Sequence, residues 1–215
     1  MKPALLIAAL LAIAGPALAQ TPKPAADPQP GPFVDPDQVP AGTYVLDSKE
    51  ALVRYTTIHM GLTEFWGTFP NASGTLTIDP KNLAATKVDI KVPVLSLETT
   101  NKELNAEFIS SEFFDFGKFR TIHFVSTGVT RTGPRTAKMT GDLTVHGVTR
   151  PVTFNVTFNN AGPNSFSKVL TLGFKAEGVV KRSEFGLGKY VPIVSDDTTI
   201  TISAAFEQKA PGKAG

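Results

Sequence analysis

The sequence predicts an all-β protein: a closed antiparallel barrel of about eight strands, with one short helical segment near residues 100–116. Three observations carry this expectation. The run 141–158 reads as two antiparallel strands joined at Gly147. Between Gly42 and Gln208, one strand-length segment follows another, each bounded by Gly, Pro, Asn or Asp. Only one stretch in that span carries helix-start chemistry.

The first strand signal is at Ala51, Val53, Tyr55 and Thr57, which alternate with Arg54 and Thr56. Successive strand residues point to opposite faces, so alternation separates an apolar face from a wet one. Residues 74–78 follow, then 88–97, where Pro93 marks an edge or a bulge. Segments 121–130, 137–145, 152–158, 169–179 and 198–206 complete the set. The alternation is strictest where Val152, Phe154, Val156 and Phe158 share one face and Thr153, Asn155, Thr157 and Asn159 share the other. Pro151 lacks a backbone donor and is expected at the first position of its strand. The helical exception is Thr100-Asn101-Lys102-Glu103, a capping-box sequence with Thr100 as cap. Leu104 and Phe108 then share a helical face, and Phe113, Phe114 and Phe116 follow. This short helix is expected across the barrel or its mouth, as a plug for the core or a gate for a ligand.

Lys2, the apolar run 4–14 and Ala17-Leu18-Ala19 before Gln20 form the pattern of a cleaved secretory signal peptide over 1–19. The run is shorter than the ~20 residues that span a bilayer. The mature protein is therefore expected to be exported and not integral to a membrane. With no cysteine, the chain has neither a lipoprotein anchor nor a disulfide scaffold, and its core must hold the fold. Residues 20–41 are expected to be a solvated, proline-rich linker carrying no core. The barrel domain is expected over 42–208, on the order of 165 residues, enough to bury a core. Residues 209–215 are expected to be a disordered tail. Lys and Arg (21) nearly balance Asp and Glu (19) without long blocks of one sign, so nothing favours a nucleic-acid partner.

Signals for catalysis are missing. His59, His123 and His146 are the only histidines, without the spacing of a metal site, so no metal is expected. His123 reads as an outward or satisfied strand residue and His146 as part of the hairpin turn. The chain has no Gly-x-Ser-x-Gly, and Gly186-Leu187-Gly188-Lys189 lacks the spacing of a phosphate loop and reads as an ordinary loop. Turn chemistry accounts for Asp196-Asp197. No enzyme is expected. Lys181 and Arg182 follow an apolar strand and read either as solvated surface charge or as donors to an anionic or carbonyl head at a barrel mouth.

A barrel of this size is either filled by side chains or holds one small ligand. Fifteen Phe against one Trp and three Tyr give an inner wall nearly free of hydrogen-bonding tips. Such a wall suits an aliphatic or prenyl chain. Each prenyl unit hides on the order of 100 Å², about 2.5 kcal/mol before the costs of ordering are subtracted.

Several runs carry a family resemblance: Gly141-Asp142-Leu143-Thr144-Val145-His146-Gly147-Val148-Thr149-Arg150-Pro151-Val152, Ser111-Glu112-Phe113-Phe114-Asp115, Ile122-His123-Phe124-Val125-Ser126 and Lys181-Arg182-Ser183-Glu184-Phe185-Gly186. His59 ends an early strand, with Gly67 and Phe69 after it. Together they resemble the exported YceI-like proteins, a lipocalin-like group associated with polyisoprenoid binding. The resemblance covers most of 44–206. It implies an extended lipocalin-like eight-stranded barrel with a long apolar pore, in a bacterial periplasm. The implied ligand is a polyisoprenoid, an isoprenoid quinone or a fatty-acid-like lipid, with no other cofactor and no catalytic residue. On this reading Val53, Tyr55, Val92, Val94, Leu104, Phe108, Phe113, Phe124, Leu143, Val152, Phe154, Val156, Phe158, Leu172, Phe174 and Ile202 line the pore. His59 or Arg182 meets the head group. Where many members carry an Arg-Asp pair and a His-Leu-x-Ser run, this chain has Leu104-Asn105-Ala106-Glu107-Phe108-Ile109-Ser110, which shifts the expectation toward a neutral head or a different ligand. The carrier is expected as a monomer or homodimer that makes at most transient membrane contact. The alternative is an exported, non-enzymatic stress or interaction protein with a filled core.

Overall fold

The computed structural model describes residues 32–209; the expected signal peptide, most of the linker and the tail beyond 209 lie outside the described residues. Ten strands form one antiparallel sheet: β1 Gly42–Leu46, β2 Leu52–His59, β3 Thr63–Phe69, β4 Ser73–Ile78, β5 Lys87–Pro93, β6 Thr121–Arg131, β7 Thr136–Val145, β8 Val148–Pro163, β9 Leu170–Lys181 and β10 Asp197–Gln208. Their order is β1-β4-β5-β6-β7-β8-β9-β10-β2-β3, and β1 also pairs with β10, which closes an eight-membered ring. Closure removes the open edges that an isolated sheet would expose.

β1 and β2 occupy one strand position in two pieces. Leu46 lies opposite Phe206 on β10 and Leu52 lies opposite Ser203 on the same strand. β4 and β3 repeat the arrangement one position further on, β4 against β1 and β3 against β2. Ten segments thus fill the eight positions expected from the sequence. The strands not singled out there are β1 and β3. β1 is only five residues long. In β3 the inward position between Phe65 and Phe69 is Gly67, which interrupts the apolar alternation.

Several local expectations need correction. The segment expected as a strand over 88–97 ends at Pro93 and continues as a 3₁₀ turn, Val94–Ser96. Pro151 is the fourth residue of β8 rather than its first. The two-residue turn closes on Val145 and Val148, and alternation from that hydrogen-bonded pair leaves Pro151, opposite Asp142, in a non-hydrogen-bonded position. The β8–β9 ladder begins only at Asn155, so the missing N–H removes no ladder bond on that side either. His146 and Gly147 form this turn with φ of 50° and 75°, the left-handed values that a tight hairpin requires. The helix, α1 Lys102–Ile109, is capped by Asn101 and not Thr100: its side-chain oxygen accepts from the N–H groups of Glu103 and Leu104.

The end of the expected linker carries core after all. Val39 is buried, and Val34 N donates to Asn160 Oδ1 at 2.9 Å. Arg131 pairs with Asp37, and the Arg135 guanidinium lies 4.7 Å from the Phe33 ring centroid. Residues 33–41 therefore pack on the barrel, since Phe33 and Val39 offer apolar surface that the neighbouring prolines do not.

Two register shifts tune the wall. One lies between Ser126 and Gly128 on β6, the other between Phe158 and Asn160 on β8. Each bulge inserts one residue and reverses which side chains face inward beyond it. On β6 the inward set passes from Ile122 and Phe124 to Val129 and Arg131.

Because the strands alternate in direction, the connections gather at two ends. Turn 59–63, the segment 94–120 with α1, turn 146–147 and loop 182–196 share one end. Segment 79–86, turn 132–135 and loop 164–169 share the other.

Candidate ligand cavity

Inward-facing side chains from every strand enclose a cavity of about 650 Å³. Its wall is built from cross-strand aromatic contacts. Phe124 meets Phe154 edge-on at 5.5 Å between centroids, Phe158 lies 5.4 Å from Phe174, and Phe174 lies 6.0 Å from Phe206. Small residues opposite make room for these rings. A Cβ on Gly67 would stand 2.6 Å from Tyr55 Cε1, and one on Gly141 would stand 2.4 Å from Phe124 Cζ. The rings thus lie along the wall instead of crossing the lumen.

The wall contains two buried hydroxyls without a hydrogen-bond partner among the described residues, Tyr55 Oη and Thr86 Oγ1. Burial pushes the Tyr55 phenol well above its ordinary pKa, so it stays protonated. Elsewhere the lining is overwhelmingly apolar.

The α1 end is closed by a latch. Phe108 of α1 reaches into the aromatic set, 6.3 Å from Tyr55, 6.4 Å from Phe65 and 5.0 Å from Phe113. Glu107, also on α1, accepts from Lys189 Nζ at 2.9 Å and from Tyr190 Oη at 3.0 Å. Lys189 also pairs with Glu112 and lies 5.2 Å from the Phe113 ring centroid and 4.9 Å from that of Tyr190. The bonds from Lys189 and Tyr190 hold the Glu107 carboxyl below its ordinary range. The bonds to Glu112 and Glu107 raise the Lys189 ammonium well above its own. The latch joins the helix to loop 182–196 across the opening.

Arg182 organises that loop. Its Nε donates to Ser195 O at 2.9 Å, Nη2 to Val194 O at 2.9 Å, and Nη1 to Lys189 O at 2.7 Å and to Leu187 O. Burial lowers its pKa, though far too little to discharge a guanidinium. Asp196 braces the same loop, accepting from Ser183 N at 2.8 Å and Ser183 Oγ at 2.7 Å. Lys181 instead pairs with Asp197 at 2.8 Å on the surface.

The cavity brings together most residues singled out from the sequence: Val53, Tyr55, Val92, Leu104, Phe108, Phe113, Phe124, Leu143, Phe154, Val156, Phe158, Leu172, Phe174 and Ile202 line it, as do His59 and Arg182. Val94 and Val152 do not. Val94 is buried in the 3₁₀ turn after β5, and Val152 packs against the core from outside the lining. His123 lies on the outer face, its Nε2 2.8 Å from Asp89 Oδ1. The sequence reading did not single out Glu107, Lys189 and Tyr190. A carboxylate among the apolar helix positions and a lysine in a glycine loop were visible, but their partnership spans some eighty residues. Among the described residues, no group of three or more His, Cys, Asp or Glu is placed to hold a metal ion, and no helix is long and apolar enough to cross a membrane.

The opposite end is lined by Pro36, Val39, Leu83, Arg131 and Arg135. Arg135 donates through Nε to Phe158 O at 3.1 Å and through Nη1 to Val34 O at 3.3 Å, which ties segment 33–41 over that end.

Comparison with known proteins agrees with this architecture. A sequence model of the YceI-like domain matches residues 44–206. A UPF0312 protein of Pseudomonas fluorescens (strain SBW25) is 37% identical over 152 residues, covering 70% of this chain and 79% of that protein. A UPF0312 protein of Pseudomonas savastanoi pv. phaseolicola is 34% identical over 172 residues, covering 79% of this chain and 88% of its own. The crystal structure of Burkholderia cenocepacia BcnA superposes with a TM-score of 0.67 at 25% identity, covering 74% of this chain and 98% of that one. A polyisoprenoid binding domain from Saccharophagus degradans, at 10% identity, shares the fold with a TM-score of 0.59, covering 79% of this chain and 100% of its own. With a family match that spans the whole strand ring, this chain belongs to the YceI-like family.

Proposed function

We propose that this protein is a non-enzymatic carrier that holds one long apolar lipid, a polyisoprenoid or an isoprenoid quinone, inside its barrel after export to the periplasm. The observation that carries the reading is the cavity: about 650 Å³ of space walled by Phe, Val, Leu and Ile from all sides of a closed sheet. That volume falls within the ~300–1,000 Å³ typical of small-molecule sites. A barrel filled by its own side chains would leave no such space, which weighs against the filled-core alternative. The relationship in fold to a polyisoprenoid binding domain supports the ligand class.

The lipid tail occupies the aromatic section between Phe124, Phe154, Phe158 and Phe174, and the head lies at the α1 end. His59 is the better head-group candidate of the two, because Arg182 spends its donors on four loop carbonyls. The latch sets the single ammonium of Lys189 between two carboxylates, which leaves no positive charge to hold an anionic head and favours a neutral one.

The test is direct. Organic extraction of the purified mature protein, followed by mass spectrometry, is expected to release a prenyl lipid, and the stripped protein is expected to take up a fluorescent prenyl probe at one per chain. Recovery of no lipid together with no probe uptake overturns the reading.

A further inference from the structure

The β2–β3 turn and loop 182–196 present an apolar outer surface around the α1 end. Leu62 is 77% exposed, Ile193 60% and Met60 57%, with Ile58, Tyr190 and Val191 also exposed beside them. The backbone makes these side chains one surface. Met60 N donates to Ile193 O at 2.7 Å, Ser195 N donates to Ile58 O at 2.8 Å, and His59 bridges to Val194. Met60 and Gly61 turn with φ of 54° and 69°, the left-handed values that let the hairpin reverse tightly between His59 and Thr63. Soluble proteins seldom leave a contiguous apolar patch without using it.

The same two segments also line the interior. Phe65, Tyr190 and Val194 face the cavity beside the polar His59, Thr63 and Lys189, and Tyr190 is also exposed outside, so an apolar path through Tyr190 and Val194 joins the rim to the inside of the barrel. We propose that this rim is a membrane-docking face, through which an apolar lipid passes between a bilayer and the cavity. The proposal rests on the lipid-holding reading above. A bilayer is the occupant that this continuity favours, because an insoluble cargo crossing between two apolar compartments is shielded from water only if their openings meet.

Charge defines the kind of surface. Lys189 is outnumbered by Glu107 and Glu112, and Lys181 is matched by Asp197, so these groups leave no surplus positive charge to attract anionic head groups. Docking therefore works by shallow insertion of Met60, Leu62 and Ile193 and gains nothing from anionic lipid, so salt does not weaken it.

The experiment uses the stripped mature protein with neutral phosphatidylcholine vesicles carrying a fluorescent prenyl alcohol. Wild type is expected to co-float with the vesicles and to take the probe from them. The double variant Met60→Asp/Leu62→Asp is expected to lose about tenfold in both readouts, while it binds the same probe normally when the probe is delivered from ethanol without vesicles. Phe166→Ser, on loop 164–169 at the opposite end, is expected to behave as wild type. In an independent readout, L62W in a W66F background is expected to shift its emission to the blue on addition of vesicles. Raising salt to about 0.5 M is expected to change flotation by less than about twofold.

Transfer at the wild-type rate by the double variant, absence of a blue shift, or loss of flotation in salt overturns the docking proposal. So does a wild-type dimer that the double variant breaks without slowing transfer, because the rim is then an interface between copies. If wild type takes up no probe even from ethanol, the lipid-holding reading itself fails.

Discussion

Tyr55 shows how one side chain serves the wall at a cost. Its ring lies against Gly67 on the neighbouring strand and contacts Phe69 at 6.0 Å and Phe108 at 6.3 Å, so it contributes area where the latch helix meets the barrel. Its hydroxyl, however, has no partner among the described residues. A buried donor left unsatisfied costs roughly 1–3 kcal/mol. Tyr55→Phe keeps the ring and deletes that cost, so it is expected to stabilise the lipid-free protein by about 1 kcal/mol in urea denaturation. A loss of stability instead identifies a partner for the hydroxyl. Arg182 is the opposite case, a charged side chain whose donors are nearly all used. Lysine offers one ammonium in place of a planar fork and cannot reach four carbonyls at once. Arg182→Lys is therefore expected to destabilise by about 2 kcal/mol and to speed amide hydrogen exchange across loop 182–196.

At the scale of the element, α1 is a short helix held by its ends and one face. Asn101 caps it, and Asn105 Oδ1 accepts from Thr99 N at 2.9 Å. Phe108 anchors it inward, while Glu107 ties it to Lys189 and Tyr190. Eight residues make a marginal helix by themselves, so these tertiary contacts decide whether it stays closed. Glu107 titrates below its ordinary 4.5 when folded, so its contribution is complete above pH 4.5 and is lost as pH falls through the folded value. Lys189 titrates above its ordinary 10.5, so its contribution is complete below pH 10.5 and is lost only as pH rises through the folded value. The Glu107 arm of the latch is thus complete at neutral pH and weakens in acid. Release of a bound prenyl probe, followed by stopped flow, is expected to accelerate below pH 4.5. Lys189→Met is expected to speed release about two- to fivefold at neutral pH and to flatten the acid dependence. Equal release rates in the two proteins across the range mean that α1 does not gate the cavity.

For the whole molecule, the ring of eight strand positions was legible wherever apolar alternation survives, as along Val152, Phe154, Val156 and Phe158. It was hidden where a small residue occupies an inward site, as Gly67 does in β3. Phase was harder to read than existence. The bulge after Ser126 brings Val129 and Arg131 into the wall, and no single-residue property announces an inserted residue. The latch and the Arg182 clamp were illegible for another reason: their partners are distant side chains or backbone carbonyls, which have no residue code. The cavity itself is a property of the sum, since the same apolar residues with larger neighbours at positions 67 and 141 would fill it. Its finite volume sets a limit on affinity. Each added prenyl unit contributes at most about 2.5 kcal/mol of burial, and less after its ordering cost, until the lumen is full. A series of prenyl alcohols of increasing length, competed against one bound probe, is therefore expected to gain affinity stepwise and then level off. The residues beyond the plateau are expected to emerge at the α1 end, because Arg135 and segment 33–41 cover the other. Deleting residues 20–39 is expected to move the plateau to longer chains; an unchanged plateau means that the segment does not close that end.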